Sequence, residues 1–340
     1  MDRFTIPKPA GRRDWLIARH RDPATGLKWA NASDAATFMA ANPHATIADL
    51  AVTYLSPEAP DEEPETEDME RGNRCEPMLL KWWEDKHGIA VVTPDVMFGC
   101  GRLLATIDGQ PVGIDDLGIE AKTSKDYWGS EPPEKVFWQC VAQTICTGWS
   151  AIDVPWLDAS MRFKCHRFVP TDGDREALLK RIDEVLAYID MGMVPEGAHL
   201  TAAHVTSLHP VAITGYSVDL SPVELAAIGE WEALRQRRLA AKKAEDEAGA
   251  KVRSLIGDAE DARWNDTPVV SWKNSKSSEK VDWKSLEADH PELVDRYRRV
   301  VPGARRLTPL KALARYVAEL DPDEVERDEV ERDETEEVEA

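Results

Sequence analysis

Between Gly88 and Leu157 short apolar runs alternate with glycines, and one helical stretch is set among them. Residues 89–92, 102–107 and 117–121 read as strands, punctuated by Gly99, Gly101, Asp108-Gly109 and Gly113. Pro132-Pro133 starts a helix over residues 134–147, and residues 151–157 and 161–168 are extended again. Further helices flank this block. One spans 33–55, with Ser33 or Asp34 as its cap. One spans 72–87, with Met78, Leu79, Trp82 and Trp83 at helical spacing and Gly88 as its stop. One spans 174–191, with Leu178, Ile182, Val185, Leu186 and Ile189 on one face. Strands bracketed by amphipathic helices bury their faces as an α/β layer structure. The expected fold is a central mixed sheet flanked by helices over residues 1–192.

The composition shifts near residue 195, and 193–220 reads as an irregular linker. Ser221-Pro222-Val223-Glu224 is a capping box with proline at the first helical position. It opens a long charged helix that runs to Ile256 and stops at Gly257. A small module follows, with a strand over 269–273 and helical residues 283–300 around His290-Pro291. Residues 221–318 thus form a mainly helical C-terminal extension. The long helix holds the densest basic run, Arg235, Arg237, Arg238, Lys242 and Lys243. It suits either the tracking of phosphates or the exposed face of a coiled-coil hairpin. No repeat of solenoid period is present.

Net charge is −21, with 63 acids against 42 lysines and arginines. Its distribution matters more than its sum. Residues 56–70 hold eight acids and no base, and 321–340 hold twelve acids and two arginines, which leaves the rest of the chain near −3. A locally basic groove for nucleic acid is therefore not excluded. Both stretches lack apolar content and are expected to be solvated and disordered, 56–70 as a loop and 319–340 as a tail.

Five cysteines without a CxxC pair fit neither a disulfide scaffold nor a zinc ribbon, and Cys100, Cys140, Cys146 and Cys165 are too scattered for an iron–sulfur cluster. His199, His204 and His209 recur every five residues, which suits no helix face and no metal site. Trp82 and Trp83 read as core. No run approaches the roughly 18 apolar residues of a membrane span, and the first residues lack an apolar signal core, so a cytoplasmic setting without membrane contact is expected.

The chemistry gathers around Thr106-Ile107-Asp108-Gly109 and Ile119-Glu120-Ala121-Lys122. Residues i and i+2 of a strand face one side, so Glu120 and Lys122 stand together with the Ala121 carbonyl nearby. A hairpin-like return brings Asp108 alongside. Two carboxylates and a carbonyl are hard oxygen donors suited to Mg²⁺. A lysine beside such a cation can orient or deprotonate an attacking water. E-x-K alone is a common accident in a chain this charged. Here the apolar Ile119, the apolar run before Asp108 and the glutamine-bearing helix after Lys122 add context.

At these residues the sequence resembles the PD-(D/E)xK nuclease superfamily, and within it the lambda exonuclease or YqaJ-type viral recombinase family. The resemblance runs over residues 12–190 through an ordered set of motifs. Trp15-Leu16-Ile17-Ala18-Arg19 with Ala32-Ser33-Asp34 is similar to its W-x-x-x-R … A-S-E/D segment. Gly72-Asn73-Arg74-Cys75-Glu76 resembles its G-x-x-x-E helix. Ala105-Thr106-Ile107-Asp108-Gly109 resembles S-P-D-G, with Ile107 in place of proline and Thr106 in place of serine. Ile119-Glu120-Ala121-Lys122 resembles L-E-x-K. Phe137-Trp138-Gln139, with Gln143 and Thr147-Gly148, resembles the glutamine helix, where Gln139 is the better match.

The resemblance implies a restriction-endonuclease-like fold and assigns roles. Asp108, Glu120, the Ala121 carbonyl and Glu76 would hold Mg²⁺, with Mn²⁺ as a substitute. Lys122 would act on the water, and Gln139 would position water or lysine. Arg19, Ser33 and Thr106 would cradle the 5′-terminal phosphate of a duplex. The implied activity is a Mg²⁺-dependent 5′→3′ exonuclease on linear double-stranded DNA, generating 3′ single-stranded tails for phage-type homologous recombination. Implied partners are double-stranded DNA ends, a single-strand annealing protein and copies of the chain in a ring-shaped trimer, in the cytoplasm of a bacterial host. Two rival readings are an endonuclease on the same core and a non-catalytic DNA- or protein-binding scaffold.

Overall fold

The computed structural model describes residues 2–60, 64–275, 281–299, 310 and 312–319. The chain divides into two units, residues 1–209 and 210–340. In the first, the elements run β1 (Arg3–Pro7), α1 (Arg12–His20), β2 (Ala30–Asn31), a 3-10 turn (Ala32–Asp34), α2 (Ala35–Phe38), α3 (Ile47–Leu55) and α4 (Glu67–His87). Next come β3 (Val91–Val92), β4 (Val96–Cys100), β5 (Leu103–Ala105), β6 (Gln110–Pro111), β7 (Leu117–Ile119) and β8 (Lys122–Thr123). They are followed by α5 (Glu134–Thr147), β9 (Ala151–Leu157), β10 (Lys164–Phe168), α6 (Asp172–Asp190) and α7 (Ala202–Leu208).

Two four-stranded sheets result. One has the order β1-β4-β5-β2, antiparallel except for the β5–β2 pair. In the other, β9 lies between β10, antiparallel to it, and the successive strands β7 and β8, both parallel to it. The expected mixed α/β arrangement is present. All seven residues of β9 are buried, as in a strand covered on both faces. Helix α5 joins β8 to β9, and eight of its residues are buried. Val141, Ala142 and Ile145 pack with α2, α3 and α6 through Phe38, Leu50, Leu178 and Ile182. Val136 and Cys140 pack with Ile107, Ile152 and Val154. Trp83 is 1% exposed and belongs to a third cluster with Leu117 and Ile119. Its neighbour Trp82 lies 4.9 Å from the Phe163 ring.

Several boundaries differ from expectation. The helix expected over 33–55 is broken. Ala40 takes a positive φ of 55°, and α3 starts anew at a capping box between Thr46 and Asp49. Strand β4 was hidden by Gly99, which read as a turn. In fact a Cβ there would lie 2.3 Å from the Phe4 ring of β1, so the glycine serves close strand contact. Helix α4 begins at Glu67 rather than 72. The Thr66 hydroxyl accepts from the Met69 N–H, and Glu67, Asp68 and Glu70 complement the positive helix end, so the last acids of the expected loop are helical. Residues 61–63 lie outside the described residues.

The expected linker is also shorter. Thr201 caps α7, and His204 Nε2 meets Asp49 Oδ1 at 2.9 Å, which ties residues 202–208 to α3. His204 thus serves a helix end and a hydrogen bond to α3.

In the second unit, α8 (Pro222–Ile256) begins where the Ser221 hydroxyl accepts from the Glu224 N–H and ends at Gly257, as read from the sequence. A hairpin of β11 (Asp261–Trp264) and β12 (Thr267–Ser271) follows, then α9 (Trp283–Asp289), α10 (Pro291–Tyr297) and α11 (Leu313–Glu319). Val317 of α11 packs on Gly229 of α8. The expected acidic tail lies outside the described residues from 320 onward. No helix among the described residues is long and apolar enough to cross a membrane. The five cysteines are free thiols, and Cys100, Cys140 and Cys146 are buried.

Candidate active site

Strands β7 and β8 keep one register along β9, Ile119 opposite Asp153 and Lys122 opposite Trp156. Between them the Glu120 N–H donates to the Asp153 carbonyl at 2.9 Å. The next N–H, of Ala121, points away from β9 and donates to Asp108 Oδ2 at 2.9 Å. Asp108 arrives there because Gly109 and Ile119 exchange two backbone bonds, of 3.1 and 2.8 Å. The expected hairpin-like return is therefore present.

Glu120 is 4% exposed, and its carboxylate is surrounded by donors. Lys122 Nζ and Gln139 Nε2 donate to Oε1 at 2.7 and 2.6 Å. Gln143 Nε2 donates to Oε2 at 2.5 Å and to the Thr106 carbonyl at 3.0 Å. Gln139 and Gln143 lie four residues apart on α5, one turn above the other. Gln143 is as much a part of the site as Gln139, which sequence reasoning preferred. The i, i+4 spacing was the available signal.

Glu76 comes from the middle of α4, directly before Pro77, which has no N–H for the carbonyl one turn back. Glu76, Asp108, Glu120, Ala121 and Lys122 line one cavity of about 570 Å³, with Arg12, Glu65 and Asp68 also on its wall. Burial, then Glu120 and Glu76, push the Asp108 carboxyl well above the usual carboxylate range. Burial and then Glu120 raise Glu76. Burial disfavours the Lys122 ammonium, but Glu120 and Asp108 outweigh it and the net effect is upward. Burial, then Glu120, drives the Cys140 thiol far up, which keeps it an inert neighbour.

Among the described residues, no three His, Cys, Asp or Glu side chains stand in a metal-holding arrangement. The Glu120 oxygens face Lys122 and the two glutamines, and Asp108 faces Ala121. The donor set nonetheless fits a hard divalent cation. Five carboxylates line one cavity, and the repulsion among Glu76, Asp108 and Glu120 is relieved by a cation or a proton.

A second depression, of about 180 Å³, lies beside the site. It is lined by Trp15, Arg19, Ser33, Thr106 and Gln139 among others. The three residues expected to cradle a terminal phosphate are thus brought together. Arg19 Nη2 donates to Ser33 Oγ at 2.6 Å and Nε to Asn31 Oδ1 at 2.9 Å, while the guanidinium lies 4.1 Å from the Trp15 ring centroid. Asn31 and Trp15 went unassigned in the sequence reading. Trp15 lies one turn before Arg19 on α1, a spacing that puts the two side chains together. Burial lowers the Arg19 pKa against the opposing pull of Asp34. Behind the pocket, the Lys28 ammonium contacts His20 Nε2 and donates to the Ser56 carbonyl.

Glu84, two turns along α4 from Glu76, stands apart from the site. It accepts from the Val91 N–H at 2.7 Å and shapes the turn into β3.

No curated protein matches the chain. Among solved structures it is similar to LHK-Exo, an alkaline exonuclease from Laribacter hongkongensis, at 20% identity and a TM-score of 0.42. That match covers 52% of this chain and 92% of the other. It is similar to LHK-Exo in complex with dAMP at 21% identity, with the same TM-score and coverage. It is also similar to a phage related exonuclease from Haemophilus somnus 129PT at 12% identity and a TM-score of 0.39, over 48% of this chain and 95% of that one. Residues 14–150 match the family model of the YqaJ-like viral recombinase domain. Glu76, Asp108, Glu120, Lys122, both glutamines and the Arg19 pocket all fall inside the span that is similar to that family's model.

Proposed function

We propose that the chain is a nuclease that hydrolyses DNA phosphodiesters, and that it works as a Mg²⁺-dependent 5′→3′ exonuclease on linear duplex ends. The observation that carries the reading is the position of Gln139. One end of its amide holds the Glu120 carboxylate, and the same side chain lines the Arg19 pocket. One side chain thus links an anion pocket to a carboxylate–lysine site, as expected if a terminal phosphate is gripped while a nearby phosphodiester is cut.

Glu76, Asp108, Glu120 and the Ala121 carbonyl would hold Mg²⁺, or Mn²⁺ in its place. A bound divalent cation supplies an activated water and neutralises charge building on the phosphate. The chain's own residues do the rest. Gln139 and Gln143 fix the Glu120 carboxylate. Lys122 reaches into the same cavity and presents an ammonium to the water or the reacting phosphate. The Arg19 guanidinium forks onto the terminal phosphate, with the Ser33 and Thr106 hydroxyls as further donors. Water adds to phosphorus, the bond to the 3′ oxygen breaks, and the shortened strand keeps a 5′ phosphate for the next cycle. Such trimming leaves 3′ single-stranded tails, the substrate of a single-strand annealing protein in phage-type recombination. A ring of chain copies would keep the duplex enclosed.

The test uses purified full chain with Mg²⁺, linear duplex labelled at either end, with or without a 5′ phosphate, and a covalently closed circle. Release of 5′ mononucleotides from phosphorylated linear ends, with the circle intact, is expected. Lys122→Ala should abolish release while DNA binding persists. Cleaved circles would move the activity to an endonuclease. Inertness on every DNA, with normal DNA binding, would leave a binding scaffold.

A further inference from the structure

Asp153 is the third residue of β9 and is buried. It lies level with Ile119 on β7 and with Arg167 on β10. Its carboxylate meets three donors. Arg167 Nε donates to Oδ1 at 2.7 Å, and Arg167 Nη2 and Trp83 Nε1 donate to Oδ2 at 2.9 and 3.1 Å. Its backbone carbonyl accepts from the Glu120 N–H at 2.9 Å. One residue is thus bonded both to the segment that carries Glu120 and to the helix that carries Glu76.

We propose that Asp153 is a positioning residue that sets the spacing between Glu76 and Glu120, holding Glu120 by its carbonyl and α4 by its carboxylate through Trp83. The inference rests on the metal-dependent nuclease reading above.

Trp83 follows Glu76 by seven residues on α4, close to two turns of about 3.6 residues, so the two share a helix face about 10 Å apart along the axis. Whatever fixes the indole therefore fixes the rotation and the axial position of Glu76. Apolar contact does this poorly. Leu80 and Trp83 rest on Leu117, Ile119 and Ala151, and such contact is non-directional, so it holds a helix near a sheet without choosing its rotation. A hydrogen bond has a preferred direction and does choose. The indole is steadied on its other side too. The His87 ring stacks on it at 4.0 Å between centroids, and His87 Nδ1 lies 2.8 Å from the Trp83 carbonyl.

The choice of an aspartate points the same way. A carboxylate in the interior must be paired, and a buried ion pair adds little stability over apolar residues of the same volume. What it adds here is orientation. The two-pronged Arg167 bond fixes the plane of the carboxylate and leaves Oδ2 free to accept from the indole as well. Mg²⁺ demands near-ideal ligand geometry, and residues that orient its carboxylate ligands matter nearly as much as the ligands.

Mn²⁺ titrated into metal-free full chain without DNA, followed by electron paramagnetic resonance, reads the carboxylate spacing apart from turnover. The site counted is the one lost in Glu120→Gln. Trp83→Phe, which keeps a ring and removes the N–H, and Asp153→Asn, which disrupts the Arg167 bond, should each weaken that site by about tenfold. The double variant should be no weaker than the weaker single, because both break one connection. Trp82→Phe, whose ring packs on Phe163 instead, should bind Mn²⁺ as the parent does. With Mg²⁺ and 5′-phosphorylated linear duplex, Trp83→Phe should need about tenfold more Mg²⁺ for its half-maximal rate, with kcat restored at saturating Mg²⁺ and KM for DNA unmoved. A purely structural bond would lower the melting temperature and leave Mn²⁺ affinity and the Mg²⁺ requirement at parent values, and that result overturns the proposal. A parent that binds no Mn²⁺ sinks the metal-dependent reading. The connection is then judged by hydrogen exchange, where Trp83→Phe should speed exchange of amides 73–80 of α4, and an unchanged pattern overturns it as well.

Discussion

Glu120 is a carboxylate in the interior whose two oxygens meet three side-chain donors, and Gln143 is the one that also closes the Thr106 carbonyl. Gln143→Leu would leave both acceptors short of a donor. A buried acceptor so stranded costs about 1–3 kcal/mol, so the variant should unfold at lower urea and turn over DNA more slowly, with Glu120 held by one oxygen only. A second residue-scale consequence concerns Lys28. Burial, then Arg21, pushes it down to about 8, and burial, then Lys28, pushes His20 down to about 4. Both groups are lowered on folding, so the unfolded chain binds more protons. Stability should therefore rise with pH between about 4 and 6.5 through His20, and between about 8 and 10.5 through Lys28. Urea midpoints measured across the upper window should climb in the parent and climb less in Lys28→Met. Equal slopes would show that Lys28 holds an ordinary amine.

At the scale of elements, β7 places the site. Gly118 is the middle residue of β7, and a Cβ there would lie 2.7 Å from both Ile152 and Trp149. Gly118→Ala should push β7 away from β9, cost about 1–3 kcal/mol as overpacking does, and shift Glu120 out of the grip of α5. Activity lost in a variant whose melting is unmoved would contradict that account. The elements that could be read from sequence are those with strong local signals. Helices α5 and α8 and strand β9 announce themselves through Pro132-Pro133, the Ser221–Glu224 capping box and a mostly apolar run. Glu120 and Lys122 followed from strand alternation. Glu76, Gln139 and the Arg19 pocket needed the resemblance, because nothing local tells a helix glutamate or an α1 arginine what it will face. Strand β4 was missed because Gly99 looks alike in a turn and beneath a phenyl ring. The breaks at Ala40 and the start of α4 depend on cap hydroxyls at Thr46 and Thr66, which hydrophobic spacing does not register. Gln143 stayed unassigned because an amide in sequence does not say which carboxylate it will hold.

For the whole molecule, about half of the charge of −21 belongs to residues 321–340, which line neither depression of the candidate site. Removing residues 321–340 takes away twelve acids and two arginines. Hydrolysis should survive the deletion, and DNA affinity at low salt should rise because the repulsion is less, an advantage that salt should erase. A large loss of turnover would give the tail a working role. Residues 1–209 contain both sheets, all three apolar clusters and both depressions of the site, so that fragment should melt as one cooperative unit. The bond between Asp108 and the Ala121 N–H has a further effect that concerns solubility. At Ala121 the outward side of the strand meets a side chain instead of another strand. An open N–H on a sheet margin is a template for joining a second molecule, and a carboxylate lodged on it closes the template. Replacing Asp108 to silence the enzyme would therefore also unseal the margin. Light scattering against protein concentration should separate Asp108→Ala, which self-associates, from Lys122→Ala, which does not, and the lysine variant is the cleaner inactive reference.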